Sequence, residues 1–289
     1  MNGKVGVIMT EQRPEDQTVE VGDIRTRYRT AGERGSPVIL LHGLGGFIEN
    51  WDLNIADLAQ ERTVYALDLP GFGRSDKPEI VYTIPYLAAF VHEFMQTLEI
   101  ERATLIGESM GGAVSLQFAL KYPDQVEKLV LEASGGLGKE VSITLRIMSL
   151  PVLGEYFVRP SRKGSEDFQK LIFYDQDLIT EEWIEEDYQM SLQPGAQRCL
   201  LSALRSMVSI RGAKRDAYKP ILENLEKIEV PVMILWGEQD QILQVAHART
   251  AAERLPDARL HILDGCGHVP NIERAEEFNQ LVTAFLSGG

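Results

Sequence analysis

A serine set between two glycines is the first feature of this chain that could act in catalysis. Ser109 lies in the pentapeptide Gly107-Glu108-Ser109-Met110-Gly111, after an apolar run at 103–106 and before a helix-like stretch at 113–121. A serine at this spacing is typical of a nucleophile elbow, a tight turn between a strand and a helix that exposes the serine hydroxyl. An ordinary Gly-Ser turn is the alternative, but the strand before the serine and the helix after it favour the elbow.

A serine hydroxyl is a poor nucleophile at neutral pH, so it needs a base, and the base needs an acid that fixes its orientation. On a sheet of this kind both partners are expected in loops after later strands, in the chain order serine, acid, histidine. Two predicted buried strands late in the chain run into loops that hold Asp240 and His268. We therefore predict Ser109, Asp240 and His268 as the catalytic residues, with Glu238 as the main rival acid and Asp264 as a weaker one.

Acyl transfer also creates an oxyanion, which two backbone N–H groups can stabilise by about 3–4 kcal/mol each. The residue after the nucleophile supplies one of them, and the loop after the first buried parallel strand supplies the other. We predict Met110 for the first and Leu44 for the second, with Gly43 as the alternative to Leu44. The glycine-rich turn at 42–46 lacks the Lys-Ser/Thr ending and the Gly-x-Gly-x-x-Gly spacing of phosphate-binding loops.

The hydrophobic pattern predicts the elements that must position these residues. Short apolar runs alternate with amphipathic helical stretches over 37–131, and the alternation resumes at 231. This alternation predicts an α/β fold with a mostly parallel, doubly wound sheet, preceded by a hairpin at 18–28. Over 136–227 no buried-strand pattern occurs, and prolines interrupt the helical stretches. The segment is therefore predicted to be a helical insertion in one α/β core.

Composition limits the partners. The 289 residues carry a net charge of −14, so no basic surface is expected that would bind nucleic acid or an anionic membrane. Residues 1–10 lack the sustained apolar stretch of a secretory leader, and no run is long enough for a membrane span. The two cysteines, Cys199 and Cys266, are expected to be reduced thiols of a cytoplasmic protein. The five histidines lack metal-ligand spacing, so no metal or other cofactor is predicted.

Taken together, these motifs resemble those of the α/β-hydrolase fold family, and the resemblance covers most of the chain. The motifs occur in the family's order: His42-Gly43-Leu44-Gly45-Gly46, the turn at 68–75, the Ser109 elbow, the Asp240 loop, and Gly267-His268-Val269-Pro270 with Glu273. The resemblance implies a doubly wound, mostly parallel eight-stranded sheet with an inserted helical cap. The core would comprise 1–135 and 228–289, and the cap, 136–227, would lie over the nucleophile and shape the substrate pocket.

Within this family the residue types resemble those of a serine carboxylesterase. Relatives that cleave carbon–halogen bonds or epoxides carry an aspartate where this chain has Ser109. Carbon–carbon bond hydrolases of aromatic ring cleavage also use serine, but they usually carry an aromatic residue where this chain has Val269. The resemblance therefore implies hydrolysis of an apolar ester with a small to medium acyl or aryl group, by a monomer or homodimer. Two alternatives stay open: a hydrolase of ring-fission dienoates (meta-cleavage products), which Asn50-Trp51 and the cap arginines Arg198 and Arg205 would suit, and a small-molecule receptor with vestigial hydrolase activity.

Overall fold

The structure is a computed structural model that describes residues 13–288. Residues 1–12, which include the stretch expected to lack a leader, lie outside the described residues. The strands of the described part are β1 Gln17–Val21, β2 Ile24–Ala31, β3 Pro37–Leu41, β4 Thr63–Leu67, β5 Ala103–Glu108, β6 Val126–Glu132, β7 Val208–Ser209, β8 Gly212–Ala213, β9 Val232–Gly237 and β10 Ala258–Leu263.

Eight of these strands form one sheet in the order β1-β2-β4-β3-β5-β6-β9-β10. β1 pairs antiparallel with β2, and β2 pairs antiparallel with β4, whereas the other neighbours in the sheet are parallel. β1 and β2 form the predicted hairpin, in which Val21 faces Ile24 across a two-residue turn that begins with Gly22. The mostly parallel, eight-stranded sheet implied by the resemblance is therefore confirmed.

Helices alternate with the strands. Over residues 13–288 they are α1 Asp52–Leu58, α2 Ile84–Thr97, α3 Met110–Lys121, α4 Ile143–Met148, α5 Leu153–Phe157, α6 Arg162–Ile172, α7 Glu181–Ser191, α8 Ala196–Met207, α9 Arg215–Leu222, α10 Ala246–Arg254, α11 Pro270–Glu273 and α12 Ala275–Leu286. None of these helices is both long enough and apolar enough to cross a lipid bilayer.

Helices cover both faces of the sheet because its central strands are apolar on both sides. In β3, Ile39 and Leu41 belong to the apolar cluster that includes side chains of α2, α3 and α10. Val38 and Leu40 belong to a second cluster, which includes side chains of α1 and α12. All four residues are fully buried, as expected for a parallel strand that reads as a continuous apolar run. The doubly wound arrangement is confirmed.

The chain between β6 and β9 holds six α-helices, α4 to α9, two short 3-10 helices and the short strands β7 and β8. It contributes no strand to the eight-stranded sheet, as the sequence pattern predicts. The helices bury apolar residues on one side, such as Ile172 of α6 and Leu204 of α8. The division of the chain into a core and a cap at 136 and 227 stays a prediction.

The parallel strands end together at one edge of the sheet, which is where α/β sheets usually bind ligands. β5, β6, β9 and β10 all reach that edge at their carboxyl ends. The loops and turns that follow β5, β9 and β10 therefore bring Ser109, Asp240 and His268 to the same region.

Candidate active site

Ser109 lies at the tight turn between β5 and α3. Its backbone has φ 51° and ψ −109°, a conformation that costs a non-glycine residue on the order of 1–3 kcal/mol. Two hydrogen bonds hold it there: the Ser109 N–H donates to the Glu132 carbonyl at 2.8 Å, and the Ser109 carbonyl accepts from the Gly135 N–H at 2.8 Å. The strained backbone is therefore fixed by the neighbouring strand β6 and the loop after it.

Close backbone contacts explain the two glycines of the pentapeptide. A Cβ added to Gly107 would lie 2.3 Å from the Gly111 carbonyl oxygen. A Cβ added to Gly111 would lie 2.1 Å from the Leu41 carbonyl oxygen. Neither position accepts a side chain without moving backbone, so the glycines allow the turn that exposes Ser109.

His268 and Asp240 are paired. The Nδ1 atom of His268 lies 2.8 Å from Oδ2 of Asp240, and both side chains are buried. The other carboxylate oxygen, Oδ1, accepts hydrogen bonds from the backbone N–H groups of Ile242 at 2.7 Å and Leu243 at 3.0 Å. Asp240 is thus held rigidly behind the imidazole, so that Nε2 is the ring nitrogen left to face other groups.

The rival carboxylates point elsewhere. Glu238 is partly exposed and forms an ion pair with Arg249 at 3.0 Å. Asp264 accepts a hydrogen bond from the Gln239 side chain at 2.8 Å. Neither contacts His268, so the geometry favours Asp240 among the acids considered from the sequence. Within residues 13–288, no group of three His, Cys, Asp or Glu side chains is arranged to hold a metal ion.

The loop that carries His268 is tied to the inserted helical segment. The His268 N–H donates to the Ile172 carbonyl at 2.8 Å. The buried Glu273 carboxyl group accepts from the N–H groups of Gly267 at 2.7 Å and Tyr174 at 2.8 Å. The position of the imidazole therefore depends on contacts between α11, the histidine loop and the end of α6.

Opposing effects set the protonation of His268. Burial lowers the pKa of the imidazole, whereas the carboxylates of Asp240 and Glu108 raise it. The carboxylates prevail, and the pKa of His268 lies above the usual value for histidine. A base with this pKa accepts a proton readily once it is neutral.

Ser109 and His268 line the same cavity, which has a volume of about 60 Å³. Ser109 also lines a second cavity of about 80 Å³. A third and larger cavity, of about 140 Å³, extends between the sheet edge and the inserted helices. Leu44 and Leu145 line all three, so these leucines mark the point where the three lobes of the site meet.

The glycine-rich turn after β3 is positioned by His42. The Leu69 N–H donates to Nε2 of His42 at 3.0 Å, so the ring hydrogen is assigned to Nδ1, which lies 2.8 Å from the Gly43 carbonyl oxygen. Burial lowers the pKa of His42, which keeps the ring neutral and consistent with this tautomer. The turn places Leu44 in the wall of a cavity that Met110, at the start of α3, also lines.

Sequence reasoning assigned no role to Glu108, the residue before Ser109. Its Oε1 atom lies 3.5 Å from Nε2 of His268, and its carboxyl group accepts a hydrogen bond from the Gly43 backbone. Burial raises the pKa of Glu108 to about 7. Because the Gly43 backbone is engaged by Glu108, Leu44 is the one left of the two amides considered for the oxyanion.

Carboxyl groups lie in the cavity walls next to Ser109. Glu108 and Asp187 line the cavity that Ser109 shares with His268. Among the described residues, the two cavities that contain Ser109 have no lysine or arginine in their walls. Lys77 and Arg159 line only the third cavity. Sequence reasoning also missed Asp187, because on α7 it stands in an acidic stretch that is typical of a solvated helix face.

Comparison with known proteins identifies the family. Residues 36–275 match the family model described as the alpha/beta hydrolase fold. The chain belongs to the α/β-hydrolase fold family. The match covers the Ser109 elbow, the Asp240 loop and the His268 loop.

Two relatives and one solved structure show the range of activities nearby. The chain is 32% identical over 272 residues to 2-hydroxy-6-oxo-6-phenylhexa-2,4-dienoate hydrolase of Comamonas testosteroni, covering 92% of this chain and 93% of the relative. It is 33% identical over 280 residues to the dihydrolipoyllysine-residue acetyltransferase component of the acetoin cleaving system of Pseudomonas putida, covering 95% and 70%. The meta-cleavage product hydrolase CumD of Pseudomonas fluorescens IP01, solved as an S103A mutant complexed with acetates, superposes with a TM-score of 0.81 at 27% identity, covering 94% and 97%.

Proposed function

We propose that this chain is a serine hydrolase that cleaves carboxylic esters of small to medium acyl or aryl substrates through an acyl-enzyme. Ser109 is the nucleophile, His268 the base and Asp240 the acid that orients the base. The N–H groups of Leu44 and Met110 stabilise the oxyanion. The observation that carries the proposal is the 2.8 Å contact between His268 and Asp240, at the wall of a cavity that Ser109 also lines.

The reaction follows from these positions. Oγ of Ser109 attacks the ester carbonyl while Nε2 of His268 takes its proton. Asp240 stays ionised and stabilises the imidazolium, and the two backbone N–H groups stabilise the negative charge on the carbonyl oxygen. His268 then gives the proton to the leaving alcohol. Water attacks the acyl-enzyme by the same route and releases the acid, which regenerates Ser109.

The charge of the cavity walls next to Ser109 supports a neutral ester. A dienoate substrate carries a carboxylate, which needs a positive charge or several hydrogen-bond donors when it is buried. In the described residues, the walls next to Ser109 instead present the carboxyl groups of Glu108 and Asp187, with no lysine or arginine. Most of the remaining wall is apolar, which suits the acyl or aryl part of an ester.

Hydrolysis of a carbon–carbon bond in a ring-fission dienoate is the second candidate. Its support is the similarity to the dienoate hydrolase of Comamonas testosteroni along nearly the whole chain. Asn50, which lines the cavity shared by Ser109 and His268, could donate hydrogen bonds to such a substrate.

A paired assay separates the candidates. Purified protein would be given p-nitrophenyl esters of graded acyl length and, separately, 2-hydroxy-6-oxo-6-phenylhexa-2,4-dienoate. We expect steady ester turnover with a kcat/KM well above that for the dienoate, and loss of turnover in Ser109→Ala. A higher kcat/KM for the dienoate would contradict the ester proposal and support the second candidate. Tight binding with one slow turnover would instead support a small-molecule receptor.

A further inference from the structure

Glu108 occupies a position between the glycine-rich turn and the imidazole. Its Oε2 atom lies so close to Gly43 that a Cβ on that residue would be 2.1 Å away. Its Oε1 atom lies 3.5 Å from Nε2 of His268. The side chain is buried, and the backbone of Gly43 donates a hydrogen bond to it. The carboxyl group is therefore held between the Gly43 backbone and the Nε2 edge of the imidazole.

A second buried carboxyl group lies behind Glu108. Glu132 is the residue paired with Glu108 in the register of β5 and β6, and its side chain is fully buried. Its Oε1 atom accepts from the Asn271 N–H at 2.6 Å, whereas Oε2 has no hydrogen-bond partner among the described residues. Burial and the charge of Glu108 raise the pKa of Glu132 well above its usual value. Repulsion between the two buried carboxyl groups therefore disfavours ionisation of both at once.

We propose that Glu108 is a positioning residue for His268, whose carboxylate holds the Nε2 edge of the imidazole beside Ser109 and stabilises the imidazolium formed during acyl transfer. The proposal rests on the ester hydrolase function proposed above. At 3.5 Å the contact is longer than a hydrogen bond, so it acts through charge and leaves Nε2 able to accept the serine proton. The imidazolium is then flanked by carboxylates on both edges, Asp240 at Nδ1 and Glu108 at Nε2.

The charged groups that face His268 come from several elements. Asp240 follows β9, Glu108 ends β5 and Glu273 belongs to α11, and each of these carboxylates raises the pKa of the imidazole. Asp187 of α7 lines the same cavity. Asp240 and Glu273 each hold backbone N–H groups of loops at the site, whereas Glu108 holds the Gly43 N–H, which a glutamine oxygen can still accept. Glu108 is thus the carboxylate whose charge can be tested with the least disturbance.

Glu108→Gln tests the charge while it keeps the shape and an oxygen that can accept from the Gly43 backbone. Because the neutral form of His268 is the active base, loss of the neighbouring negative charge should move the acidic limb of the kcat/KM profile down by about one pH unit or more. The plateau kcat should fall about tenfold, because the imidazolium is less stabilised, while KM for a neutral ester stays unchanged. A profile that superposes on the parent profile would overturn the proposal.

Glu238→Gln is the matched control. It removes the same charge by the same substitution from a partly exposed position near Asp240 that does not contact His268. Its profile should superpose on that of the parent protein. A shift in Glu238→Gln equal to that in Glu108→Gln would show a general effect of net charge and would overturn the specific role of Glu108.

An NMR titration separates this inference from the proposed function. The His268 ring nitrogens would be followed with pH in Ser109→Ala and in Ser109→Ala/Glu108→Gln. The midpoint should fall by about one unit or more in the double variant, and equal midpoints would overturn the proposal. Retention of ester turnover in Ser109→Ala would contradict the function alone, since the titration does not depend on turnover.

The parent protein provides a measurement for the case in which Glu108→Gln does not fold. With labelled histidine nitrogens and glutamate carboxyl carbons, His268 and Glu108 should titrate in shared steps, because each charge changes the proton affinity of the other. Independent single steps for the two residues would overturn the proposal.

Discussion

Two regions of this molecule bury a glutamate carboxyl group, and the pKa of that group is shifted in opposite directions in the two regions. Near the start of the sheet, Glu49 contacts Arg27 at 2.6 Å and Arg29 at 3.0 Å, and all three side chains are almost completely buried. Burial raises the pKa of Glu49, but the arginines outweigh it and lower the pKa to about 2. At the candidate active site Glu108 has no arginine beside it, and its pKa is raised to about 7.

The difference shows what a buried carboxylate can do with and without an arginine. Arginine stays charged at any physiological pH, so a carboxylate paired with it is fixed in the ionised state. A carboxyl group whose neighbour is a histidine can gain or lose a proton near neutrality, as can the histidine. The first arrangement stabilises the fold, and the second responds to the proton transfers of a reaction. Four predictions test this distinction.

The largest effect is expected from removal of the proposed nucleophile and base in the region without arginine. Ser109→Ala and His268→Ala should each lower kcat/KM for an ester by at least about three orders of magnitude. The double variant should lose little more, because the residues act as a unit. Steady-state kinetics measures both, with circular dichroism as the check that each variant is folded. Losses that multiply in the double variant would contradict the shared role.

In the region with arginine, Glu49→Gln should mainly cost stability. The substitution removes one of the two carboxylates that Arg27 and Arg29 share, the other being that of Asp16, and loss of such charge-assisted hydrogen bonds typically costs about 1.5–3 kcal/mol in free energy of unfolding. Urea unfolding at pH 7 measures the loss, and kcat of the folded variant should change by no more than a few-fold. Glu20→Gln, on the exposed side of β1, is the matched control and should change stability by less than about 0.5 kcal/mol.

The contribution of Glu49 should also depend on pH in a defined direction. Because the folded pKa is below the usual value, the stability that it contributes is present above about pH 4.5 and is lost as the pH falls towards 2. The shift corresponds to roughly 3 kcal/mol. Urea unfolding of the parent protein and Glu49→Gln should therefore converge between pH 4.5 and 2. A difference that stays constant over this range would contradict the charge effect.

The smallest effect on stability is expected at Glu132, whose pKa is shifted in the direction opposite to that of Glu49. Its folded pKa is raised, so its contribution to stability is favourable below the usual glutamate pKa and is lost as the pH rises. Glu132→Gln should raise the free energy of unfolding by about 1 kcal/mol at pH 8 and leave it unchanged at pH 4. A loss of stability at pH 8 would show that the carboxyl group is needed for its bond to the Asn271 N–H.

Much of the fold follows from local sequence patterns. β3 and β5 are buried on both faces, and their continuous apolar runs predict strands directly. The elbow also follows, because close backbone contacts leave room only for glycine at two positions. The ends of the strands and helices are less well predicted. The sequence pattern gives a strand over 103–106 and a helix over 113–121, whereas β5 extends to Glu108 and α3 begins at Met110, because the turn at Ser109 occupies a single residue.

The buried charges could not be predicted from local patterns. Arg27 donates hydrogen bonds to Glu49 and Asp68, which follow it by 22 and 41 residues. Nothing near Arg27 in the sequence therefore indicates that its side chain is buried. Glu108 becomes buried only when the glycine-rich turn and the histidine loop close over it. Its effect on His268 joins residues that are 160 positions apart in the chain. Such pairs are set by tertiary packing, which periodicity does not encode.

The junction of the three lobes has an evolutionary consequence. One of its two leucines, Leu44, belongs to the loop after β3, and the other, Leu145, belongs to a helix of the inserted segment. A change of size at 145, or a small shift of its helix, would redistribute space among the lobes without altering the backbone that carries Ser109. During evolution, substitutions in the inserted segment can thus change which molecules fit the cavities, while the residues around Ser109 stay the same.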